Sequence, residues 1–91
     1  MNHVVFFRFA SQDLAAEAAR RLRAMEGHVP SLASIEVGVD QLRTERSWDL
    51  CLITRFADAD AFAAYRVDPV HQEVLAWMKA NAKASAVVDW A

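Results

Sequence analysis

Two histidines and a tyrosine carry most of the reactive chemistry available to this 91-residue chain. His71 follows Asp68-Pro69 and has Val74 and Leu75 at i+3 and i+4, so its imidazole lies on or beside an apolar stripe. Asp is a favoured N-cap and Pro a favoured first helical residue, which puts His71 in the first turn of a helix. The positive end of the helix dipole disfavours imidazolium there and keeps the ring neutral. A neutral imidazole in an apolar pocket can accept a proton from an activated carbon. The same position also suits a boundary histidine hydrogen-bonded to the backbone or to Asp68. Tyr65, six residues earlier, reads either as a core aromatic with a satisfied hydroxyl or as the polar handle of a pocket. His3 opens the first apolar segment, at a strand end near solvent or at the mouth of that same pocket.

Other chemistry is excluded more easily. The three histidines, at 3, 28 and 71, lack zinc-ligand spacing, and Asp58 and Asp60 read first as helix-start residues. The single cysteine, Cys51, rules out an internal disulfide and any CxxC motif, and lies mid-strand as a small hydrophobe. No Gly-rich phosphate loop or nucleophile elbow occurs. No metal or cofactor is expected.

The elements that must position these side chains follow from periodicity. HVVFFRF, His3 to Phe9, is a strand with His3, Val5, Phe7 and Phe9 on one face and Val4, Phe6 and Arg8 on the other. Both faces are largely apolar, as in a strand covered on two sides. Ser11 caps a helix with Asp13 in its first turn and a stripe of Leu14, Ala18, Leu22 and Met25; Gly27 and Pro30 end it. Ser34 to Asp40 alternates as an edge strand, and Gln41 to Ser47 is a loop. WDLCLITRF, Trp48 to Phe56, places Leu50, Leu52, Thr54 and Phe56 on one face, with Cys51 and Ile53 on the other. Asp58 caps a helix to Val67 with Phe62 and Tyr65 inward. A second helix restarts at Pro69 and runs to about Lys83, with Val70, Val74, Trp77 and Met78 in register. SAVVDW closes the chain as a strand.

The order βαββαβ predicts an α+β, ferredoxin-like fold: a four-stranded antiparallel sheet, spatial order 4-1-3-2, with the helices on one face. The first and third strands are then central, and these are the two that are apolar on both faces. The opposite face, bearing Val4, Phe6, Cys51, Ile53, Val88 and Trp90, would be naked in a monomer. Such a patch marks an interface, and two sheets packed face to face as a twofold dimer would bury it. In the same arrangement His3, Tyr65 and His71 converge on one pocket mouth.

Composition agrees. Hydrophobic residues make up 55% of the chain, and 18 of them are alanine, yet three Trp, five Phe and one Tyr remain. A domain of this size buries only about 60–65% of its unfolded surface, so this apolar surplus needs a partner, a cavity, or both. A net charge of −2 offers nucleic acid no basic stripe. The βαββαβ order also suits an RNA-recognition domain, but DLCLITRF lacks the Gly- and basic-rich aromatic signature that reading needs. No apolar run reaches the roughly 18 residues of a membrane span, and Met1 to Ala10 does not read as a signal peptide. A single cytoplasmic domain over residues 1–91 is expected.

Over nearly its whole length the sequence resembles the stress-responsive A/B barrel (Dabb) family, through HVVFFRF, VPSLASIEVGVD, WDLCLITRFADADAFAAY, DPVHQEV and VVDW in that order and spacing. The resemblance implies a dimeric α+β barrel built from two ferredoxin-like sheets. Members range from stress-induced proteins of unassigned role to plant polyketide cyclases. In the cyclase type, a Tyr and a His at the junction of the two helical pieces face a cavity between helices and sheet. The His is the base of an intramolecular aldol closure and the Tyr orients substrate; Tyr65 and His71 stand at those positions. The family often carries His-Pro-x-His at this junction, whereas this chain has Asp68-Pro69-Val70-His71, and it has Ser31 where Gly commonly follows the loop proline. Two functions are therefore expected as alternatives. One is a homodimer binding a small, partly apolar ligand, with His71 as acid/base, Tyr65 beside it, and His3, Val5, Phe7, Phe62 and Val74 lining the site. The other is a non-catalytic, stress-related or structural dimer with no true active site.

Overall fold

The computed structural model describes residues 1–91. The elements run β1 (Asn2–Phe9), α1 (Gln12–Arg23), β2 (Ser34–Val39), β3 (Leu50–Arg55), α2 (Ala59–Val67), α3 (Pro69–Asn81) and β4 (Ala82–Trp90). The strands form one antiparallel sheet in the order β2-β3-β1-β4. This is the expected ferredoxin-like α+β arrangement, with β1 and β3 central.

Strand parity is realised residue by residue. Leu50, Leu52 and Thr54 on β3, with Phe56 just beyond it, are all buried on the helix-facing side, as are Val5, Phe7 and Phe9 on β1. The buried Thr54 hydroxyl donates to the His3 carbonyl at 3.2 Å, a bond between register partners that satisfies a polar group in the core. On the opposite face Phe6, Cys51 and Ile53 are half-buried, while Val88 and Trp90 are 57% and 49% exposed. Val4 departs from the expected naked face. Its cross-strand neighbours Ile53 and Val88 flank it on both sides and leave it buried within one chain.

Caps fall where the residue types place them. The Ser11 side chain accepts from Leu14 N, Asp58 from Ala61 N, and Asp68 from Val70 N, with Pro69 opening α3. Several boundaries differ from the periodicity reading. α1 ends at Arg23, and the turn through Ala24–His28 carries Gly27 at φ +80°, the left-handed conformation glycine adopts at no steric cost. β3 starts at Leu50, because the Asp49 carboxylate turns back to accept from Phe9 N at 2.7 Å. Trp48 is left outside the strand, beneath Arg8 and against Phe6. Val70 is exposed, since it lies in the first turn of α3 before that helix settles on the sheet. α3 passes into β4 with no loop, so β4 begins at Ala82 rather than Ser85.

The two helical layers pack differently. α1 presents Ala15, Ala18, Ala19 and Leu22, all buried, and packs chiefly on β2, reaching β1 and β3. α2 and α3 lie over the β1–β4 side with only Tyr65 and Met78 fully buried. Val87, on the helix-facing side of β4, stays 51% exposed. Small residues let α1 approach the sheet; the larger side chains of α2 and α3 hold those helices off it.

Candidate functional site

The gap under α2 and α3 is a cavity of about 190 Å³, walled by β1, β3, β4 and all three helices. Nine of its twelve lining residues are hydrophobic; the polar ones include His3, His71 and Ser85. Of the residues singled out from sequence, His3, Val5, Phe7, Tyr65, His71 and Val74 all line it. Phe62 does not. Its ring packs 5.0 Å from the His3 ring and 5.3 Å from Phe56, one layer behind the wall, so its expected place in the lining is corrected to a supporting one. Helical spacing put Phe62 inward correctly, but the volume it fills is that between Phe56, Tyr65 and His3.

At the α2–α3 junction Tyr65 and His71 stack face to face, centroids 3.9 Å apart and planes 30° from parallel. The Asp68-Pro69 break makes this possible: Asp68 caps both helices, ending α2 and starting α3 one turn before His71. Tyr65 is anchored from behind by Phe56 at 4.9 Å and is 2% exposed. Burial alone pushes its phenol above the ordinary tyrosine range, so the hydroxyl stays a neutral donor.

His71 Nδ1 is buried and has no hydrogen-bond partner. The nearest acceptors are the Arg66 and Tyr65 backbone carbonyls, which also accept from the Gln72 amide and Asp68 N–H and each keep a second lone pair, so Nδ1 is turned toward the helix-junction backbone. Burial lowers the pKa of His71 below the ordinary histidine value. The nearby Arg66 and Tyr65 carbonyls and Asp68 oppose that shift, and His3 adds to it. The ring is therefore neutral at pH 7 within a largely apolar wall.

His3 takes a different partner. Its Nδ1 is hydrogen-bonded to the carboxylate of Asp89, its register partner on the adjacent strand β4. Sequence reading missed Asp89, and also Leu22, Leu52, Leu75, Met78, Ser85 and Val87 on the wall. The inward parity of Leu52 and Val87 was available; which inner positions border a void rather than the core depends on how far the helices stand off. No group of three or more His, Cys, Asp or Glu side chains converges to hold a metal ion. Cys51 lies on the opposite face of the sheet, and burial, with Glu36 nearby, pushes its thiol up, away from nucleophilic character.

The family model for the stress responsive A/B barrel domain (Dabb) matches residues 1–91. The chain belongs to the Dabb family. Among solved structures, it superposes on a dimeric ferredoxin-like protein of unknown function from Thermobifida fusca with TM-score 0.86 at 22% identity, over 99% of this chain and 88% of that one. A dimeric protein of unknown function and ferredoxin-like fold from Bacteroides fragilis gives 0.83 at 19% identity, over 98% and 92%. Hydroxynitrile lyase from Passiflora edulis gives 0.82 at 14% identity, over 98% and 89%. At these identities the likeness is one of fold. No curated protein matches the chain. No helix of this Dabb chain is long and apolar enough to cross a membrane.

Proposed function

We propose that this Dabb protein is a homodimer whose cavity binds a small, uncharged, partly apolar carbonyl compound and makes or breaks a bond beside the carbonyl by acid–base chemistry. His71 takes the proton, and the Tyr65 hydroxyl orients the carbonyl oxygen. The observation that carries the reading is the His71 ring itself, stacked on Tyr65 in the apolar wall, with Nδ1 buried toward the Arg66 and Tyr65 backbone carbonyls and no protein group bonded to Nε2. With Nδ1 held toward backbone carbonyls, a neutral imidazole offers Nε2 as the nitrogen that accepts a proton from a ligand. Size narrows the class: an engineered apolar cavity of about 150 Å³ holds benzene, so 190 Å³ suits a ligand of roughly that scale. No lysine or arginine lines the wall, which disfavours anionic substrates. A lyase among the neighbours of the same fold is compatible with such chemistry.

Turnover of small β-hydroxy ketones and of their aldol components by wild type, His71→Ala and Tyr65→Phe tests this. Loss of about 10²–10⁴-fold in His71→Ala is expected; equal turnover would remove His71 from the mechanism.

Dimerisation uses the open sheet face, where Phe6, Ile53, Val88 and Trp90 leave a continuous apolar surface. Two neighbours of this fold are dimeric. Light scattering at micromolar concentration is expected to give twice the 10.2 kDa chain mass, and Val88→Glu to lower it; a monomer mass for wild type defeats the dimer. The second reading, a binding or stress-related dimer without catalysis, is favoured by one observation. The cavity is smaller than the roughly 300–1,000 Å³ of ordinary ligand sites.

A further inference from the structure

His3 and His71 face one cavity with opposite surroundings. His71 has only backbone carbonyls, of Arg66 and Tyr65, beside its Nδ1, whereas His3 is held through Nδ1 by the Asp89 carboxylate, whose side chain is 41% exposed against 16% for His3. The pair thus links the cavity to solvent. A carboxylate on Nδ1 fixes the imidazole's orientation and tautomer, so the proton chemistry passes to Nε2. No protein group bonds His3 Nε2, and Phe62 at 5.0 Å together with the Thr54 hydroxyl on the His3 carbonyl keeps the residue in place. The charged and titratable groups around His3 are Asp89 from β4, His71 from α3 and, over the far aromatic Phe62, Arg66 from α2.

We infer that His3 is the second proton-transfer group of this site and that Asp89 is its positioning residue, so that the cavity's substrate class is a small compound that gives up a proton at carbon and gains one at oxygen. The inference rests on the proposed function above and adds the acid to its base. In the forward direction His71 removes a C–H proton and the bonding pair becomes an enolate, its oxygen held by Tyr65. The enolate carbon then bonds to a second carbonyl carbon, whose π pair moves to oxygen. That oxygen takes a proton from Nε2 of protonated His3, while Nδ1–H stays on Asp89. His71 ends with one proton more and His3 with one fewer, and solvent beside Asp89 restores both. No oxidant, reductant or metal enters the balance.

Imidazole ¹⁵N spectra of the full chain at a pH where His3 is neutral test the positioning without any substrate. Wild type is expected to hold His3 as the Nδ1–H tautomer. Asp89→Ala should move it toward Nε2–H, while Asp89→Asn and Asp89→Glu, which keep an acceptor oxygen, retain the wild-type form. An unchanged His3 tautomer in a folded Asp89→Ala protein overturns the inference. Where turnover is found, Asp89→Ala should lower kcat by up to about 10²-fold with KM near the wild-type value; an unaltered kcat also overturns it. Failure of His71→Ala to affect turnover would defeat the proposed function while leaving the His3 spectra as expected, so the two outcomes separate.

Discussion

The two halves of the helical layer use residues of different size to opposite ends. α1 packs Ala15, Ala18 and Ala19 into the core, each at most 1% exposed, and only Leu22 of this helix borders the cavity. α2 and α3 meet the sheet through Tyr65, His71, Val74 and Met78, and a cavity of about 190 Å³ remains beneath them. The first half is a core; the second is a core with its centre withheld. Alanine allows close approach, while an aromatic pair stacked across a helix break sets a minimum standoff. The lesson is that one small domain separates stability from its site by residue size alone.

Packing variants break or sharpen this contrast. Ala18→Leu, at a position with 0% exposure, should destabilise by about 1–3 kcal/mol or more, because the extra atoms have nowhere to go. Thermal melting should show a fall of about 4–8 °C per kcal/mol. An unchanged melting temperature would mean that α1 is no more tightly seated than α2 and α3.

The pH dependence should also sort by region. Burial lowers the folded-state pKa of His71, so the unfolded chain binds more protons than the native one below the ordinary histidine value of about 6.5. This contribution to stability is fully present above about pH 6.5 and is lost as pH falls toward the depressed native value. Denaturant titrations of wild type and His71→Phe between pH 7.5 and 5 check it, and the aromatic variant, which keeps the stack on Tyr65, should lose that part of the slope. Equal slopes would mean that His71 is as solvated as an unfolded histidine.

Much of this architecture was legible in the sequence. The alternation of Leu50, Leu52, Thr54 and Phe56 identified the inner face of a central strand, and the structure buries all four. Asp68-Pro69 located the helix break because one residue is a cap and the other cannot continue a helix. The His3–Asp89 contact was not legible. It depends on the register of two strands 86 positions apart, and that register shifts at Arg8/Phe9, an irregularity no local pattern announces. The misplaced lining role of Phe62 has a similar origin, since periodicity reports which way a side chain points and says nothing of how far the opposite wall lies.

The smallest effect is expected in the cavity itself. Val74→Leu adds one methylene to a wall with empty volume beside it, and stability should change by less than about 0.8 kcal/mol, the value of burying that group. A loss as large as that of Ala18→Leu would show the space to be filled in solution.

The most direct test of the central claim is ligand entry under α2 and α3. Benzaldehyde, a small uncharged aryl carbonyl, is titrated into methyl-labelled protein and the ¹H–¹³C shifts are followed. Saturable changes confined to Val5, Leu22, Leu52, Leu75 and Val87, and lost in Val74→Trp, are the predicted result. Saturable binding that leaves these methyls unmoved, or no binding at all, would contradict it.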